Sequence, residues 1–181
     1  MNGELFDVLI AGQFAKAEEL LEKGADINAR DERGETLLDR IIPIIGQDGD
    51  VHSVVRFMLT HGADPSLTSH EGSGPLFGAA ILQDTELFRM LLDHGADPNR
   101  QHDMGEILYD WAEFDYRFET YDLNLPEEPT NEDKATEGAW LQFLDRIAIK
   151  YDKRRPDYLL LLRERGALTG SELRKLRQEQ E

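Results

Sequence analysis

The side chains best able to do chemistry here are five histidines, His52, His61, His70, His94 and His102, and 37 carboxylates. The histidines share no spacing that would let two of them hold one metal ion. With no cysteine there is neither a thiol nucleophile nor a thiolate for zinc. None of the 15 glycines sits in a loop ending Gly-Lys-Ser/Thr or in a Gly-x-Gly-x-x-Gly turn after a strand. Carboxylate pairs are so frequent in a chain this acidic that none stands out as general acid and base. No catalytic residue, metal ligand or cofactor is assigned, and the chain reads as a non-enzyme.

The chemistry that does stand out is that of binding. Residues 103–137 carry 12 acids against Arg117 and Lys134, a net of −10, interleaved with Tyr109, Trp111, Phe114, Tyr116, Phe118 and Tyr121. Rings supply area to bury against a partner, and a charged surround raises the encounter rate, so this composition suits an electrostatically steered protein interface. The acids assigned to it are Asp103, Asp110, Glu113, Asp115, Asp122, Glu127 and Glu128, with the rings Tyr109, Trp111 and Tyr116. Phe114 and Phe118, four apart, read as the core face of a helix. Trp111 and Tyr116 read as exposed, since Trp111 aligns with Arg40 and Gly78 in the other repeats.

Charge sets the partner class. With 20 Lys+Arg against 37 Asp+Glu the formal charge is −17. Residues 1–137 hold 30 acids and 10 bases (−20), and residues 138–181 hold 7 acids and 10 bases (+3). Nucleic acid and anionic membranes are disfavoured as partners, and a basic protein fits. Met1-Asn2-Gly3-Glu4 has an acid where a secretion signal needs positive charge, and no apolar run approaches the ~18 residues of a membrane span, so a cytoplasmic chain, monomeric when free, is expected.

The elements that must position these residues are marked by repeated punctuation. Leu20-Leu21-Glu22-Lys23-Gly24-Ala25-Asp26, Met58-Leu59-Thr60-His61-Gly62-Ala63-Asp64 and Leu91-Leu92-Asp93-His94-Gly95-Ala96-Asp97 lie 38 and 33 residues apart from glycine to glycine, and Leu161-Leu162-Arg163-Glu164-Arg165-Gly166-Ala167 is a weaker fourth copy. Each follows a helix with apolar residues at a four-residue spacing, such as Ala17 and Leu21, Val55 and Leu59, or Leu87 and Leu91. The glycine then ends the helix in a left-handed conformation. Polar turns follow at Asp31-Glu32-Arg33-Gly34, Ser69-His70-Glu71-Gly72 and His102-Asp103-Met104-Gly105.

This pattern resembles the ankyrin repeat, most strongly over residues 12–112. The resemblance implies an all-α ankyrin-repeat solenoid of about four helix-turn-helix repeats with capping ends and an insertion in the last repeat. One domain, 1–181, is expected, with repeats at about 3–29, 30–66, 67–99 and 100–169, an insertion near 119–150 and a tail at 170–181. The resemblance also implies binding through the turn tips and first helices, which adds Asp31, Glu32, Arg33, Arg40, His70, Glu71 and His102 to the partner-binding set. His61 and His94, just before the capping glycines, take structural roles.

Departures from the family pattern carry their own expectations. No repeat keeps the Thr-Pro-Leu-His tetrad whole, so the tetrad's hydrogen bonds are not carried over to Thr36-Leu37-Leu38-Asp39. The segment Pro43–Asp50 is expected to bulge as a loop between two helices. Arg163, where Leu21, Leu59 and Leu92 stand elsewhere, suits a terminal position with no neighbour to bury it. Between Gly95 and Gly166 the chain exceeds one repeat by 38 residues, read as an insertion in preference to a degenerate fifth unit. Its Pro126–Asp133 part is expected to be a loop and its Trp140–Ala148 part a packed helix.

Among ankyrin proteins the chain is similar to the small acidic immunity proteins that bacteria encode beside secreted toxins, which implies a cytoplasmic inhibitor of a basic cognate toxin. The alternative is an adaptor or regulator binding a non-toxin partner.

Overall fold

The computed structural model describes residues 1–46, 49–100, 105 and 107–179. Among these residues the secondary structure is helical, with no strand beyond one isolated bridge between Arg30 and Thr36. In chain order the helices are α1 (Asn2–Ile10), α2 (Phe14–Glu22), α3 (Leu37–Ile45), α4 (Val51–Thr60), α5 (Pro75–Leu82), α6 (Thr85–Asp93), α7 (Leu108–Tyr121), α8 (Glu137–Lys150), α9 (Asp157–Glu164) and α10 (Gly170–Gln178).

Local chemistry sets the boundaries. Asp50, Asp84, Thr136 and Thr169 each accept a backbone N–H of the helix they precede, which satisfies donors that the helix cannot pair itself. Gly24, Gly62, Gly95 and Gly166 sit at φ of +95°, +88°, +98° and +85°, as the repeated punctuation requires. His61 and His94 place Nδ1 2.8 Å from the carbonyls of Phe57 and Met90, so both rings serve the helix ends they close.

Helices α1, α3, α5 and α7 pack side by side as one layer. A second layer lies behind it: Phe14 of α2 stacks on Phe57 of α4 at 5.0 Å, α4 packs on α6, and α6 packs on α9. The buried faces between the layers form one apolar core, running from Leu5 and Leu9 through Ile41, Met58, Phe88 and Leu91 to Tyr158 and Leu162. A stack of this kind is stabilised by each repeat burying its neighbour's face. Helix α9 takes the next place in the second layer after α6, so α8 stands outside the two-layer order. It buries Leu141, Phe143, Leu144, Ile147 and Ala148.

Three local expectations need correction. The Pro43–Asp50 segment does not begin as a loop, because α3 continues through Ile45, and Gln47 and Asp48 lie outside the described residues. Pro43 is exposed, so water can satisfy the carbonyl its ring leaves unpaired, while Ile45 is buried. Thr36 and Asp39 do bond despite the broken tetrad: the Thr36 N–H and hydroxyl donate to Asp39 Oδ2 at 2.8 and 2.9 Å, and the Asp39 N–H donates back at 3.3 Å. A carboxylate can serve the threonine at that position, and the result is a capping box on α3. Arg163 is not left uncovered either. Helix α10 returns over it, Glu172 takes its guanidinium in two bonds of 2.6 and 2.9 Å, and Tyr109 lies beneath at 5.4 Å.

Candidate protein-binding surface

The turn before α3 is held by its own carboxylate. Asp31 Oδ1 accepts the N–H groups of Arg33 and Glu35 at 2.9 and 3.0 Å, which leaves Glu32 and Arg33 exposed at the tip. The next turn docks on it through the His70 N–H, which donates to the Arg33 carbonyl at 2.9 Å. His70 and Glu71 are exposed there. Arg40, on the adjoining face of α3, holds its guanidinium 4.2 Å over the Phe6 ring and 3.9 Å from Asp31. His102 and Asp103 lie outside the described residues.

Helix α7 carries most of the other candidates, and their placement divides. Asp110 is exposed and accepts the Gly170 N–H at 2.9 Å, tying α7 to the start of α10. Trp111 is half-buried against Phe77 of α5, with ring centroids 6.3 Å apart. Asp115 Oδ2 accepts from the Gln83 amide at 2.8 Å. Asp122 is exposed just past the end of the helix, in a left-handed conformation at φ +49°.

Glu113 is a junction with α8. Arg117 donates to both its oxygens at 2.6 and 3.0 Å, and the Trp140 indole N–H donates to Oε1 at 2.8 Å. In the loop after α7, Glu127 is held by Lys150 and by the Tyr151 hydroxyl, whose bonds keep its carboxyl below the usual range. Glu128 is exposed.

Two aromatic assignments are overturned, and two rings assigned to the core lie outside it. Tyr109 and Tyr116 are 1% and 0% exposed. The Tyr109 hydroxyl donates to Glu137 at 2.6 Å and the Tyr116 hydroxyl to the Arg154 carbonyl at 2.6 Å. Burial pushes both phenols well above their ordinary range, so both stay neutral donors. Burial also raises the Glu137 carboxyl. Phe114 and Phe118, by contrast, are 50% and 47% exposed and stack on each other at 6.5 Å. The buried face of α7 runs through Leu108, Tyr109, Ala112 and Tyr116. Phe114 and Phe118 instead follow exposed Asp110 at successive four-residue steps, and that acid was the sequence signal for the solvent side.

A recess of about 580 Å³ opens beside this face, lined by Ile81, Gln83, Trp111, Asp115, Glu119, Lys153 and Arg154. Lys153 and Arg154 form one wall, and Arg154 donates to the Gln83 carbonyl. Among the described residues no group of three or more His, Asp or Glu side chains could hold a metal ion, and no helix is long and apolar enough to cross a membrane.

Paired antiparallel helices in two layers, joined by turns that stand out on one side, define a helical-repeat scaffold of the protein-binding class. The chain belongs to the ankyrin-repeat family: the family profile described as ankyrin repeats (3 copies) matches residues 5–102. Among solved structures it is similar to the ankyrin repeat domain of Bcl-3, described as a unique member of the IkappaB protein family. The two share 26% identity with a TM-score of 0.51, over 58% of this chain and 44% of that one. The chain thus spans less than half the length of that domain. No curated protein matches the sequence.

Proposed function

We propose that this chain is a non-catalytic module whose 181 residues form one ankyrin array, with an insertion near 119–150 in its last repeat, and that it binds a basic protein. The observation that carries this reading is the −10 charge of residues 103–137 set beside the exposed Phe114–Phe118 pair. Rings left in water beside an excess of acids favour a partner that supplies both apolar cover and positive charge. In the sharpest form the chain is a cytoplasmic bacterial immunity protein, monomeric when free, that neutralises a basic cognate toxin. An anionic surface would block the phosphate-binding cleft of a nuclease-like toxin.

The test is co-expression with the product of the adjacent reading frame, followed by titration calorimetry on the purified pair. Rescue of growth and tight binding that weakens as salt rises support the immunity form. Binding without rescue leaves an adaptor or regulator of that partner. Absence of both removes the immunity reading.

A further inference from the structure

Helices α1, α3 and α5 are 9, 9 and 8 residues long, whereas α7 runs for 14. Since α7 starts in register with α3 and α5, its last six residues extend about 9 Å past the end of α5. Phe118 stands on that overhang, and Phe114 stands at its base. Ile81 is at the same repeat position on α5 as Phe114 on α7, and Pro43 and Ile44 follow on α3. Ile44 and Ile81 are 53% and 57% exposed. Three consecutive helices of the first layer therefore present one uncovered apolar ladder, widest at the two phenylalanines.

Resting on the reading of a basic protein partner, we infer that this ladder docks an amphipathic, lysine- or arginine-rich α-helix of that partner, with its apolar side on Ile81, Phe114 and Phe118. Two features of the ladder favour such an occupant. The first is spacing. Packed helices lie 8–10 Å apart, so successive rungs recur at about that distance. A helix returns the same face every seven residues, at about 10.5 Å. An extended strand covers that distance in three residues and then shows its opposite face.

The second is charge. Asp110, Asp115 and Glu119 lie on α7 and Asp122 just past its end, beside the two phenylalanines, while Arg117 is occupied by Glu113. Lys153 and Arg154 line the same recess. The occupant's cations therefore pair along α7, and its apolar side faces Ile81 and the phenylalanines.

The probe is a synthetic amphipathic peptide of about 18 residues, leucines on one helical face and lysines on the other, titrated into the full chain. A scrambled peptide of the same composition and one with a central proline serve as comparisons. The protein variants are F114A/F118A and, on a different helix, Ile81→Ser. All three positions of change are solvent-facing, so thermal unfolding should match the parent and certify the fold. The helical peptide is expected to bind at least about tenfold more tightly than either comparison, and each variant to lose about tenfold for it alone. Equal binding of all three peptides, or full affinity in both variants, overturns the helix-docking inference and leaves a charge-only surface. Failure of every peptide to bind at low salt overturns the basic-partner reading itself.

Discussion

Asn99 reaches across 69 residues of sequence to accept the Leu168 N–H at 2.8 Å, while its amide donates to the Gly166 carbonyl at 2.9 Å. Asn28 makes the same pair of bonds one repeat ahead of itself, accepting the Asp64 N–H at 2.8 Å and donating to the Gly62 carbonyl at 2.9 Å. The asparagine two residues after the first and third Gly-Ala-Asp thus stitches one helix-end loop to the next. The stitch at Asn99 skips α7 and α8 altogether, so the stack resumes at Gly166 in the register it left at Gly95.

The middle repeat has Ser66 in that place, whose hydroxyl donates to Asp64 at 2.6 Å. Asn99→Ala should cost about 1–2 kcal/mol by urea unfolding, because it strands a donor and an acceptor at the loop it crosses. Ser66→Asn should restore the missing stitch and stabilise by about 0.5–1 kcal/mol. A Ser66→Asn protein no more stable than the parent would show that the stitch adds nothing.

Much of this was legible because it is local. A capping glycine, a polar turn and a four-residue apolar spacing each report on their own few residues, which is why Gly24, Gly62, Gly95 and Gly166 mark four helix ends correctly. The face of α7 was not legible. Phe114 and Phe118 share a side by spacing, but so do Tyr109, Ala112 and Tyr116, and choosing between the two sides requires knowing where α8 and α9 lie. The role of Asn99 emerges from sequence only if Asp97-Pro98-Asn99 is laid over Asp26-Ile27-Asn28 and the stack is assumed to resume at Gly166.

Glu113 holds α8 to α7 through Trp140 while also neutralising Arg117. Glu113→Ala should therefore destabilise by about 2 kcal/mol, since it leaves an indole N–H and a guanidinium without an acceptor. Hydrogen exchange should show the amides of α8 losing protection before those of α4 and α6. Uniform loss across all helices would mean that the junction is not specific to α8.

Gly34 is at φ +75°, and a Cβ placed there would lie 2.6 Å from the His70 ring and 3.0 Å from the His70 backbone nitrogen. The nitrogen belongs to the turn-to-turn bond with Arg33, so it cannot move aside freely. Gly62, at φ +88°, meets nothing within 4 Å. Gly34→Ala should cost clearly more than the ~1 kcal/mol expected for Gly62→Ala, where only backbone strain acts. Equal shifts in the denaturation midpoints would mean that the turns can separate without penalty.

Asp39 gives stability a pH dependence of unusual sign. Burial raises its pKa from the ordinary 3.8 to about 6, against the opposing pull of its bonds from Thr36. Its Oδ1 is buried without a partner. The native state holds this proton more tightly than the unfolded chain does, so between pH 4 and 6 the native state binds more protons. The contribution of Asp39 is then most favourable below pH 4, is lost as pH rises through 6, and is flat above that, with a span of at most about 3 kcal/mol. Glu172, lowered to about 2 by Arg163, acts oppositely but only as pH falls below the ordinary glutamate value of 4.5. Asp39→Asn keeps an oxygen to accept from Thr36 and removes the titration. Urea midpoints measured from pH 7 down to 5 should rise more in the parent than in Asp39→Asn, and parallel profiles would place the titration elsewhere.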